Sequence, residues 1–482
     1  MAVNPQGRSE PPGRPAAERT AFNLDRHVAE VRPRPVASQP AEPAKPELPA
    51  DTPPAAERRD WAYLGLLAFT FVLFLRPQDL FPPLELLHLA EVFAIVGVVA
   101  MVNSRLARRQ PVIPMTPEVR GVMVFAGILL ALVPFSIWPG GSYAMLTGLF
   151  LKVVLIFILM AGTLTRPARL ERLVWLMLLA SGYLAFRGVF DYARGINLIE
   201  NGRVAGAVGG VFGNPNDLAM NMVTFLPPAL LLAARRDVPP LRRGGAAVIA
   251  LLMFVTIVFT KSRGGFLGLG AMLLVLMAQG NKIRRGFGAA ALVIIIAGLP
   301  LLPGSFWERM ASITDPSKDE TGSRESRQTD MREAWRMFLE RPLTGVGPGQ
   351  MTAYNPTWRQ ERWREAHNVF LQVAADDGIF GVLAFGYLVV RALRIAWTTS
   401  RRARAGPAST DESRRTAFFF STAMTASLAG WLVCALFASV AYTWTFYYVF
   451  GISMGARLVL ENAPAPRRIA SGSGPRRSIA AA

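Results

Sequence analysis

The first 58 residues carry no apolar period: proline and alanine are interspersed with arginine and glutamate, a composition that cannot bury a core. From residue 61 the pattern changes, and apolar runs of about 20 residues recur, the length a helix needs to cross the ~30 Å hydrocarbon core. The runs predict helices at 61–75, 84–103, 118–137, 143–163, 170–190, 216–234, 244–260, 263–279, 286–302, 367–397, 415–437 and 441–460. The expected fold class is therefore all-α: a polytopic membrane protein with about twelve transmembrane helices. Residues 1–60 and 461–482 are expected as loose cytosolic tails, 61–460 as the membrane domain, and 303–366 as its one large outer loop.

The links between runs test this order. Arg105, Arg108 and Arg109 follow the second run, Arg166 and Arg169 the fourth, and Arg235, Arg236, Arg242 and Arg243 the sixth. Lys282, Arg284 and Arg285 follow the eighth, and a further arginine group follows the tenth. Alternate links such as 136–142 and 438–441 carry almost no positive charge. The positive-inside rule then puts both termini in the cytosol and 303–366 outside, on the periplasmic face if the cell is Gram-negative.

Composition changes the picture only at the margins. The formal net charge of +19 would suggest nucleic acid in a soluble protein, but these arginines sit between spans, where topology and anionic lipid headgroups account for them. The expected partners are a lipid bilayer and no nucleic acid. Cys434 is the only cysteine, so there is no disulfide framework, and no His/carboxylate spacing marks a metal site.

Three polar segments fall on the outer side. The first, 202–217, reads GRVAGAVGGVFGNPND: Asn214 or Asn216 can cap the following helix, with Pro215 in its first turn, and Arg203 is the residue singled out. The second is Thr260-Lys261-Ser262-Arg263-Gly264-Gly265, a tight outer turn that breaks the charge rule. Its two cations either meet an anionic partner or snorkel to the interface. The third is AHNVFLQVAADDGIFG, residues 366–381, where the outer loop re-enters apolar sequence. His367 there is either a helix-start residue or a neutral-pH acid/base group. Asn368, Gln372 and Asp376 are spaced by four and form one polar stripe. A continuous helix from His367 to Trp397 would be about 46 Å long, so its first turns are expected at the outer surface.

Arg203, Arg263 and His367 thus lie near three helix N-termini on one face. N-terminal dipoles and arginines together suit phosphate or pyrophosphate. In the outer loop, Met331, Ala334, Trp335, Phe338 and Leu339 share one helical face, read as either a surface helix or a substrate clamp. Gly345, Gly347 and Gly349 form a turn without the context of a phosphate loop. Lys152 lies within a span and either pairs with Glu91 or reaches a lipid phosphate.

The segments GRVAGAVGGVFGNPNDLA, KSRGGFLG, ERPLTGVGPG and HNVFLQVAADDGIFG, in this order, make the chain resemble the O-antigen ligase and O-antigen polymerase superfamily of bacterial membrane glycosyltransferases. The resemblance implies a C-type glycosyltransferase fold. It implies transfer of a glycan from undecaprenyl diphosphate to a hydroxyl acceptor, with inversion and without metal or cofactor. The acceptor is lipid A–core, a growing glycan or a protein. Arg203, Arg263 and His367 match the family's essential basic positions and are expected to be catalytic. Lys261, Asn368, Asp376 and Lys152 are expected to bind substrate. Lys261 stands where the family often has arginine, and Asp376 where it often has glutamate. A transporter or flippase is the competing class, with Lys152 as its main support.

Overall fold

The computed structural model describes residues 60–199, 202–206, 212–279, 304, 307, 311, 323–359, 364–405 and 411–463. Residues 1–59 and 464–482 of the tails, the span read at 286–302 and most of 303–322 lie outside the described residues.

The chain is helical almost throughout. In order come α1 (Trp61–Leu75), α2 (Leu89–Ala107), α3 (Pro117–Leu132), α4 (Pro139–Thr163) and α5 (Pro167–Arg194). A two-stranded antiparallel hairpin follows, β1 (Leu198–Ile199) and β2 (Arg203–Val204), with Ile199 opposite Arg203. Then come α6 (Pro215–Ala234), α7 (Pro240–Thr260), α8 (Arg263–Ala278), α9 (Ser323–Glu340), α10 (Val369–Ala405), α11 (Glu412–Ala435) and α12 (Trp444–Glu461).

Each apolar run except 286–302 holds a described helix. Among the described residues, eight helices are long and apolar enough to cross a membrane, and α1 and α8 are shorter apolar helices of 15 and 16 residues. The chain is a multi-pass membrane protein.

Local sequence sets the helix ends. Thr116 caps α3 through its hydroxyl, and Asn214 caps α6 with Pro215 at the first position, where a missing N–H loses nothing. Gly195 closes α5 in the left-handed region.

At the centre of the bundle, α11 packs against α6, α8, α10 and α12. Phe385, Trp431 and Phe446 meet there, with the Phe446 ring 4.8 Å from Trp431 and 5.7 Å from Phe385. One ion cluster is built into this packing. Glu118, fully buried at the start of α3, accepts from Arg391 of α10 at 2.6 Å and from Arg457 of α12 at 2.7 Å. A buried carboxylate is tolerable only with such partners.

The helix predicted to run unbroken from His367 is broken. Gly378 sits at φ 63°, ψ −159°, dividing α10 into a short segment before it and a long membrane segment after it. The break is filled from the outer loop: Ile379 N–H donates to Pro342 O at 2.8 Å, Val346 N–H to Ala375 O at 2.8 Å, and Gly347 N–H to Asp376 O at 2.9 Å. The glycine turn after α9 is therefore packing, since a Cβ on Gly345 would lie 2.3 Å from Asp376 O.

Helix α9 forms as expected but turns a different face inward. Asp330, Glu333, Ala334 and Met337 are buried, while Trp335 and Leu339 are exposed. The carboxylates decide it: Asp330 meets Arg364 at 3.0 Å and Glu333 meets Arg359 at 3.4 Å.

Candidate functional site

Two of the three polar segments, at Asn216 and at His367, meet at one cavity. The starts of α6, α10 and α12 and the loop after α11 enclose a cavity of about 630 Å³, within the ~300–1,000 Å³ typical of small-ligand sites. Asn216 and Asp217 form one wall, Arg364, Glu365 and His367 a second, and Ser439 belongs to the third.

Behind the first wall lies a cation cluster. Arg203 is buried on β2; its Nε donates to Thr260 O at 3.0 Å and its Nη2 to Asn216 Oδ1 at 2.8 Å. The Ser262 hydroxyl donates to the same Asn216 oxygen at 2.9 Å and accepts Gly265 N–H at 3.2 Å, capping α8. Lys261, 4 % exposed, closes α7 in the left-handed region, φ 46°, with its ammonium beside Gly202. Arg263 opens α8 and is half-buried. Asn216 thus holds Arg203 and the turn that carries Lys261 and Arg263, though none of these three cations is among the described residues lining the cavity.

The second wall is pinned from behind. Asn368 caps α10: its Oδ1 accepts Phe370 N–H at 3.0 Å and Leu371 N–H at 3.1 Å, and its amide donates to Leu436 O at 3.2 Å. A cap of this kind contributes about 1 kcal/mol. Gln372 accepts Ala441 N–H at 3.1 Å, and His367 N–H donates to Ser439 Oγ at 3.1 Å. His367 itself adopts φ 48°, left-handed backbone outside the helix. Its neighbours make it a poor cation. Burial first, then the Arg327 and Arg364 charges, push the imidazole down from 6.5 to about 4, so it is neutral at pH 7.

Two predicted binding residues stand apart. Asp376 is buried and occupied by protein: it accepts Met351 N–H at 2.7 Å, and Tyr442 donates to Asp377 beside it at 2.6 Å. The polar stripe therefore reaches the cavity wall at its beginning and the loop junction at its end. Lys152 of α4 pairs with Glu91 of α2 at 2.5 Å, away from the cavity lining.

Sequence reasoning missed Glu365, Asp217 and Ser439. Glu365 had one signal, its place two residues before His367. Asp217 was hidden within a helix-start motif. Ser439 lies 72 residues from His367, and only tertiary packing brings it there.

Residues 248–386 match the model of the family described as O-Antigen ligase. The match runs from within α7 into α10 and includes Lys261, Arg263, His367, Asn368 and Asp376; Lys152 and Arg203 precede it. No curated protein matches the chain. Over residues 248–386, less than half of its length, the chain is similar to the O-antigen ligase family.

Proposed function

We propose that the protein is an O-antigen ligase-type glycosyltransferase of the bacterial inner membrane. It moves a glycan from undecaprenyl diphosphate to a hydroxyl acceptor at the periplasmic face. One observation carries this reading: Asn216 and His367 line one cavity, and Asn216 also holds Arg203 and Ser262, so buried cationic residues adjoin that cavity.

In this reading Arg203 and Arg263, with Lys261 beside them, hold the diphosphate and stabilise the charge that develops on it as it leaves. The N-terminus of α8 adds its dipole at the same place. His367, neutral, hydrogen-bonds the acceptor, and Asn368 fixes the turn that presents it. Lipid A–core, a growing glycan and a protein hydroxyl remain three acceptors for one site chemistry.

The test is transfer of a labelled glycan from a lipid diphosphate donor by the purified protein in detergent, where transport has no meaning. Turnover, lost in Arg203→Ala and Arg263→Ala, is expected. A wild-type protein that transfers to none of the three acceptor classes would sink the reading in favour of a transporter. Glycans recovered from a deletion strain then identify the acceptor.

A further inference from the structure

Transfer to a hydroxyl releases a proton, and a base in the cavity that takes it speeds the step. Among the described residues lining it, three side chains can titrate as acceptors: Asp217, Glu365 and His367. Their positions differ. Asp217 follows Asn216 directly on α6, on the wall backed by the cation cluster, where a diphosphate would sit. Glu365 and His367 stand on the other wall, where the acceptor enters in the transfer reading. Ser439 ties these two together. Its oxygen accepts the His367 backbone N–H at 3.1 Å, and its hydroxyl donates to the Glu365 carboxylate. The carboxylate is thus held at the cavity edge by a group anchored in a different helical link.

We propose that Glu365 is the catalytic base, taking the proton from the acceptor hydroxyl, and that His367 orients that hydroxyl. This rests on the transfer reading. In the step, the acceptor O–H proton passes to a Glu365 carboxylate oxygen. The acceptor oxygen forms a bond to the anomeric carbon. The bond from that carbon to the phosphate oxygen breaks, and its electron pair leaves with the diphosphate toward Arg203 and Arg263. A later proton loss from Glu365 to solvent through the cavity resets the site.

The electrostatics agree with this division. Glu365 opens to the cavity, but protein crowds the rest of it, and that burial raises its carboxyl above the usual range despite the Ser439 hydrogen bond. A carboxylate with a raised affinity for protons is a better base than an ordinary one. The His367 ring has moved the opposite way. The charged and titratable groups around Glu365 are Asp217 from α6, Arg364 and His367 from its own segment, and Arg327 from α9, whose charge reaches His367. Arg364 is paired with Asp330.

The experiment is steady-state transfer by the full-length protein in detergent, with a labelled lipid diphosphate donor, across pH. Glu365→Gln is expected to lower kcat by about 10²–10⁴-fold, the usual span for general-base loss, with the donor KM little changed. The wild-type rate rises with pH through the Glu365 titration, and this limb is expected to vanish in Glu365→Gln. Formate added to Glu365→Ala is expected to restore part of the turnover, which a merely structural role would not allow. Glu365→Asp keeps a carboxylate and is expected to retain the limb at reduced rate. Glu365→Gln with wild-type kcat, or formate without effect on an otherwise folded Glu365→Ala, overturns the assignment. An active wild type in those cases leaves the transfer reading standing; an inactive wild type defeats both.

Discussion

Arg203 donates through Nη2 to Oδ1 of Asn216 at 2.8 Å, and that amide links the guanidinium to the cavity wall. Asn216→Ala removes an oxygen shared by a guanidinium and the Ser262 hydroxyl. We expect donor KM to rise by about tenfold or more, the worth of one charge-assisted hydrogen bond of ~1.5–3 kcal/mol. Asn216→Asp keeps the acceptor and is expected to bind Arg203 more tightly while repelling the diphosphate, so KM rises there as well. Donor titrations of the two variants check this, and an unchanged KM in both would remove Asn216 from the site.

His367 is expected to stay neutral well below the usual imidazole range, since its folded value is pushed down from 6.5 to about 4. The sign follows from linkage: the unfolded chain binds the proton more readily, so His367 favours the fold above 6.5, and that contribution is lost as pH falls toward 4. Labelled-histidine NMR in detergent should show this ring without protonation at pH 5.5. In the transfer assay His367→Gln, a neutral hydrogen-bonding side chain, should retain more turnover than His367→Ala.

Lys152 and Glu91 are expected to act as a structural pair. Both residues lie in membrane spans, so their exposed parts face lipid, where a charge left without its partner is costly. Lys152→Met and Glu91→Gln should each lower the Tm, and the double variant by less than the sum. Donor KM should not move in any of them. A selective KM effect of Lys152→Met would return this lysine to substrate binding.

Gly378 tolerates no side chain. Its φ of +63° is left-handed, and a Cβ would lie 2.5 Å from Leu343 O, a backbone atom that cannot swing away. Gly378→Ala is expected to cost about 1–3 kcal/mol and to shift the outer loop from its dock. Size-exclusion profiles and Tm measure the first effect, and proteolysis within 341–351 the second.

The order of the helices was visible in the sequence because apolar run length is a local property. So was a cap at Asn214 or Asn216, which the structure gives to Asn214. What was hidden depends on distant partners. The inward face of α9 contradicts its hydrophobic period because Arg359 and Arg364 arrive from beyond the helix to pair with Glu333 and Asp330. The break at Gly378 depends on carbonyls and N–H groups of 342–347 that no pattern within α10 announces. Asp376 looked like the end of a polar stripe for the same reason: its partner, Met351 N–H, lies 25 residues away.

The break at Gly378 also has a mechanical consequence. Helices adjust to bilayers of different thickness by tilting, and a straight helix carries that tilt to both ends. Here the rod is interrupted at Gly378, where the outer loop docks into the break, and the short segment is tied to the α11–α12 link through Asn368, Gln372 and His367. The direction of the long segment in the bilayer is therefore not carried along one continuous helix to His367.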